Sequence, residues 1–230
     1  MSLPTITVPT YNITVPSTKQ KVKYRPYLVK EEKILLMALE SEDYGQIADA
    51  LEQVVSDCVQ TSTFDVSKLA SFDIEYLFVN IRAKSVGEIV DLIVPSPDDE
   101  ETKIPFQINI EKVKVQFQKN NQKIIKLSDD LWVEMRYLSI HDYLINGENE
   151  LEFMASGIEK LYNSERVWDN ATTTKEEFVS FLENLTKQQF VSVREFFETV
   201  PALRHTVKLK NPKTGYEFDY TMSGMLDFFA

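Results

Sequence analysis

The 230-residue sequence has one cysteine, two histidines and six glycines, and its basic residues are outnumbered by acids. Each shortage removes a class of chemistry. A lone Cys58 permits neither an internal disulfide nor a cysteine zinc site, and fits a reducing compartment. His141 and His205 have no spaced ligand partners, so no metal centre is expected. Gly45, Gly87, Gly147, Gly157, Gly215 and Gly224 never cluster. That rules out the phosphate-cradling loop, the dinucleotide fingerprint and the Gly-x-Ser-x-Gly nucleophile elbow. With 25 Lys and Arg against 36 Asp and Glu, the net charge is −11. Such a surface repels phosphate backbones, and nucleic acid is not an expected partner. No apolar run approaches the ~20 residues that span a bilayer. Met1 to Ser17 lacks a basic stretch followed by an apolar one, so neither membrane nor secretion is expected, and the expected compartment is the cytosol.

What is present is apolar matter for a core: 43% hydrophobic residues, including 14 Phe and 10 Tyr. Residues 1–10, with Pro4 and Pro9, read as an extended arm or edge. Segments 11–15 and 21–29 flank a Pro16–Gln20 turn and predict a hairpin. Ile34, Leu35, Leu36, Met37 and Leu39 follow a charged helix start, Lys30-Glu31-Glu32-Lys33, read as solvent-facing. Tyr44, Ile47, Ala48, Leu51, Val55 and Cys58 share one face of a 3.6-residue period, which makes Cys58 a buried apolar side chain. A third helix is expected over Phe72–Lys84, capped by Ser71. Residues 88–138 are rich in β-branched residues and predict one small antiparallel sheet, with Pro95–Glu101 as a loop. Leu151, Met154, Ala155, Ile158 and Tyr162 predict a further helix. Ser139-x-x-Asp142, Thr174-Lys175-Glu176-Glu177 and Thr186-Lys187-Gln188-Gln189 read as capping boxes. Strands at 206–209 and 217–221 flank the Asn211–Gly215 turn, and Ser223 is expected to cap a last segment, Met225–Phe229. The fold class is α+β: helical N- and C-terminal parts around a small antiparallel sheet, with N- and C-terminal β-hairpins. The organisation expected is 1–87, 88–138 and 139–230, packed as one unit.

No constellation for turnover stands out, and no cofactor is expected. The acids at 98–101 lack calcium-loop spacing and its central glycine. Contact signals are of three kinds. Tyr24-Arg25-Pro26-Tyr27 places aromatics around an arginine, a composition favoured at interface centres, with packing of the hairpin on the first helix as the equal alternative. Arg82 and Lys84 near a helix end suit the helix dipole, with partner binding as the second reading. Phe228 and Phe229 at the terminus either dock at home or insert into a partner.

Tyr24-Arg25-Pro26 leading into Leu28-Val29-Lys30-Glu31-Glu32-Lys33-Ile34-Leu35-Leu36-Met37-Ala38 resembles the baseplate hub assembly proteins of T-even-type contractile bacteriophages. Phe72-Asp73-Ile74-Glu75-Tyr76-Leu77-Phe78 and Ile81–Glu88 strengthen the likeness. Weaker echoes lie at Lys126–Trp132 and Gly224–Phe229, so the resemblance spans nearly the whole chain. It implies a non-enzymatic tail assembly protein, a chaperone or scaffold for the baseplate hub and tape-measure complex, acting in the host cell cytoplasm. The alternative is a permanent structural subunit of the hub. Other phage tail proteins are the implied partners, and the resemblance carries no binding residues with it. A hydrolase built from scattered carboxylates is the contrasting reading, and it would need a pocket where acids converge.

Overall fold

The computed structural model describes residues 6–145 and 149–228. The hairpin at the start is present: β1 (Tyr11–Thr14) pairs antiparallel with β2 (Lys21–Tyr24), Tyr11 opposite Tyr24. The expected arm falls partly on residues 1–5, outside the described residues; 6–10 form neither helix nor strand. Next come α1 (Val29–Glu40) and α2 (Tyr44–Cys58), joined by a three-residue turn into a helical hairpin. Asp43 caps α2 by accepting from the Gln46 amide at 3.0 Å. The α2 stripe is buried at Ala48, Leu51, Val55 and Cys58, as its period requires, while Tyr44 at its N-terminal end stays exposed.

The central element is α3 (Ser71–Val86), on which every residue from 71 to 79 is buried. It is covered all round, so it has almost no polar face. Ser71 is not its cap. Ala70 holds that position without a side-chain bond, and the Ser71 amide donates instead to the Leu138 carbonyl at 2.8 Å. Two acids are buried on α3. The Asp73 carboxylate accepts from the Ser17 amide at 3.0 Å and from the Ser17 hydroxyl. Glu75 accepts the Met225 amide.

All strand pairings are antiparallel, but the strands of residues 88–138 do not form one sheet. β3 (Ile89–Ser96) and β4 (Asp99–Asn109) make a separate two-stranded ribbon. β5 (Lys114–Gln116) joins β10 (Ala202–Lys210) and β11 (Glu217–Ser223), in the order β11-β10-β5. β6 (Ile124–Ser128) and β7 (Leu131–Met135) continue into β8 (Ile158–Tyr162) and β9 (Val167–Asp169). The chain turns out of β4 through a 3-10 turn at Ile110–Lys112, where Ile110 is fully buried, and this redirects β5 to a distant partner. The expected Pro95–Glu101 loop is also much shorter. Its strands run to Ser96 and from Asp99, because Asp98 at the tip accepts from Ser96 Oγ (2.5 Å), Asn211 Nδ2 (3.0 Å) and Thr214 Oγ1 (2.5 Å). Those bonds hold its carboxyl down to about 2 and anchor the ribbon tip on the β10–β11 turn.

The last third holds α4 (Ile140–Ile145), α5 (Glu150–Ser156), α6 (Lys175–Glu183) and α7 (Lys187–Glu198). The Thr174 and Thr186 capping boxes form as read. Ser139 likewise accepts the Asp142 amide at 3.0 Å. The helix expected to reach Tyr162 ends at Ser156, and Ile158–Tyr162 is strand β8, paired with β7. At Gly157 the chain passes under Phe197, so closely that an added Cβ would lie 2.5 Å from the ring. The Ser223 amide donates to Asp227 at 2.7 Å, before a 3-10 turn at Leu226–Phe228.

Two cores result. One surrounds α3 and includes Val22, Val55, Ile110, Leu203 and Phe228. The other lies between the β6–β9 sheet and α5–α7, and includes Val133, Met154, Phe178, Leu182 and Phe196. They meet at Tyr137, whose ring stacks on Phe196 at 5.9 Å and meets Phe72 edge-on at 5.1 Å. Its hydroxyl donates to Asn121 Oδ1 at 3.0 Å, while Asn121 Nδ2 donates to the Phe196 carbonyl at 2.9 Å.

A candidate protein-binding groove

Helix α1 leaves large apolar side chains open. Only Glu31 and Ala38 on it are buried. Leu36 and Leu39 are each 55% exposed, and Met37 60%. Glu32, Leu35, Leu36 and Leu39 stand at i, i+3, i+4 and i+7, one face of the helix. That face borders a groove of about 240 Å³, whose opposite wall is Ile47 and Leu51 of α2 with Phe78 and Arg82 of α3. Tyr27 and Met225 also line it. The signal was present in the sequence: Ile34, Leu35, Leu36, Met37 and Leu39 are more large apolar residues than one helical face can cover. Burying the exposed halves of Leu36 and Leu39 is favourable by about 1 kcal/mol each.

The groove is set in place by the segment before α1. Arg25 reaches forward along the chain to Glu31, Nη2 to Oε1 at 2.9 Å, and its guanidinium also donates to the Asp57 carbonyl at 3.0 Å. Glu31 Oε2 accepts the Leu28 amide at 2.7 Å, half of a capping box. Burial opposes ionisation of Glu31, but these bonds and Lys30 outweigh it and hold the carboxyl down to about 2. The charged start of α1 is therefore not all solvated; its first acid, Glu31, is the anchor of the helix. Beside the pair, burial pushes the Cys58 thiol up to about 12, which keeps it an unreactive core residue.

The contact residues named from sequence divide accordingly. Tyr27 and Arg82 meet on the groove. Burial, then Glu32, push the Tyr27 phenol up, with Arg82 opposing. Burial pushes the Arg82 guanidinium down, with Tyr27 opposing. Tyr24 is buried, its ring 5.7 Å from that of Tyr11, and Arg25 is committed to Glu31. Lys84 forms an ion pair with Glu111 and lies over the Tyr11 ring. Phe228 is fully buried in the α3 core, so its ring presents no surface to a partner, and Phe229 lies outside the described residues.

A second cavity, of about 180 Å³, lies between the cores and is lined by Glu75, Phe72, Tyr143, Phe153, Phe197 and Arg204 among others. Glu75 is its buried acid; burial raises the carboxyl to about 7 against one hydrogen bond from Met225. Acids do not converge there as a carboxylate hydrolase would need. Among the described residues, no group of three or more His, Cys, Asp or Glu is placed to hold a metal ion, and no helix is long and apolar enough to cross a membrane.

Comparison with curated proteins and with solved structures returned no match. A family model described as T4 bacteriophage base plate protein matches residues 8–230, a span that includes both cores and every wall of the groove. The chain therefore belongs to the T4 bacteriophage base plate protein family.

Proposed function

We propose that this protein is a non-enzymatic assembly factor, a chaperone or scaffold for the baseplate hub and its tape-measure complex. It works in the host cytoplasm by holding another tail polypeptide through the α1–α2–α3 groove. Membership of a base plate family supports contact with other phage structural proteins. The observation that carries the reading is the half-open apolar stripe of α1, Leu35, Leu36 and Leu39, facing a groove that the described residues leave unfilled. Exposed apolar surface of this kind, rimmed by polar groups, marks binding sites in soluble proteins.

Affinity capture from infected cells tests it. Tagged wild-type chain should retain hub or tape-measure proteins, and Leu36→Asp/Leu39→Asp should lose them. Mass spectrometry of purified virions should lack the protein. Stoichiometric copies in mature tails would instead make it a permanent hub subunit, and equal capture by the double variant would remove the groove from its function.

A further inference from the structure

We infer that the groove takes a basic amphipathic helix of the partner polypeptide, about three turns long, with its apolar stripe on Leu35, Leu36 and Leu39 and lysines or arginines on its flanks. This rests on the assembly reading above and specifies the partner's chemistry.

The occupant is helical because of what the walls offer. Apart from Tyr27 and Met225, they are three α-helices, whose backbone donors and acceptors are already used internally. An extended segment would find no edge to pair with and would bury unpaired amides, whereas a helix satisfies its own. The 12 residues of α1 rise about 18 Å, which sets the matching length. The flanks are basic because of where the acids lie. Residues 29–58 carry eight acids against two lysines, Lys30 and Lys33, a net of −6 out of the chain's −11. Glu31 is internally neutralised by Arg25, but Glu40, Glu42 and Asp43 stand exposed at the α1–α2 turn, next to Leu39. The cation in the lining, Arg82, shares the opposite end with Tyr27 and Glu32. A second copy of this chain would bring the same negative sign to the contact and be repelled.

The test uses the full chain and two synthetic helical peptides of about 18 residues with identical leucine stripes, one flanked by lysines and one by glutamates. Fluorescence anisotropy should show the basic peptide binding at least about tenfold more tightly than the acidic one, with affinity falling as salt is raised. Leu36→Asp/Leu39→Asp should weaken the basic peptide by roughly tenfold or more, even though the substitution adds two negative charges. Attraction by charge alone would strengthen instead. Both leucines are more than half exposed, so the fold should survive; Leu36→Gln gives the same comparison if thermal melting shows that the double variant unfolds early. Equal binding by wild type and variant, or preference for the acidic peptide, overturns the inference. So does a wild-type dimer in sedimentation that the double variant abolishes. If the peptides fail while capture of tail proteins from infected cells still depends on Leu36 and Leu39, the basic helix is wrong and the assembly reading stands. If capture is also groove-independent, both fall.

Discussion

Arg25 and Glu31 lie six residues apart in sequence and 2.9 Å apart in space, with the Glu31 side chain wholly out of solvent and that of Arg25 12% exposed. Their pairing turns the chain from the β1–β2 hairpin into α1. Removing Arg25 leaves the buried Glu31 carboxylate with only the exposed Lys30 at 3.1 Å and the Leu28 amide, so Arg25→Ala should destabilise the protein by about 3 kcal/mol in urea unfolding. Glu31→Gln should cost less, since the amide oxygen still accepts the Leu28 amide. Because the Glu31 carboxyl is held below its ordinary 4.5, at about 2, its contribution is complete above pH 4.5 and disappears as pH falls toward 2. Asp98, also held down to about 2, weakens the ribbon anchor in the same acid window.

Glu75 acts with the opposite sign. Burial lifts its carboxyl from 4.5 to about 7. Between those values the folded chain binds more protons than the unfolded one, so stability falls as pH rises through that window and then levels off. Glu75→Gln should flatten this slope and raise the melting temperature at pH 8 relative to wild type. Asp73, lifted by burial against its bonds from Ser17, leaves part of the slope in the variant. Melting curves at half-unit pH steps resolve it; a variant slope equal to wild type would show that Glu75 ionises freely.

Gly157 is fixed by packing, not by its backbone, which is right-handed at φ −87. An added methyl would meet the Phe197 ring at 2.5 and 2.7 Å. Phe197 in turn touches Phe153 and Phe196, at 5.3 and 5.2 Å, so the ring has little room to yield. Gly157→Ala should cost roughly 1–3 kcal/mol by thermal unfolding.

Asn211 ties the two ribbon tips together. It is fully buried, donates to Asp98 at 3.0 Å and accepts the Lys213 and Thr214 amides at 2.8 and 3.3 Å. Asn211→Ala should destabilise by about 1–2 kcal/mol and speed amide exchange at Lys213 and Thr214. Unchanged exchange would mean that the turn holds itself.

Much of this was legible from residue order. The helical stripe of α2, the Thr174 and Thr186 capping boxes, and the burial of Cys58 depend on neighbours within one or two turns, where side-chain oxygens and a 3.6-residue period act directly. The mixed α+β class and the antiparallel pairings followed from the same local rules. The family likeness, too, was carried by short runs such as Tyr24-Arg25-Pro26 and Phe72–Phe78.

Other features depended on distant partners. Ile158 and Tyr162 fit a helical stripe, yet they became strand because β7 offered a backbone edge and Phe197 closed over Gly157. Residues 88–138 have uniform strand composition, but which strand each one joined was set by chain direction after Ile110, and local pattern carries no such information. The same holds for Glu31 and the α1 stripe. Sequence fixes that a carboxylate and three leucines lie on one helix; only packing decides that the carboxylate is enclosed with Arg25 while Leu36 and Leu39 are left open. Burial is a property of what arrives from elsewhere in the chain, and at that groove none of the described residues fills the space.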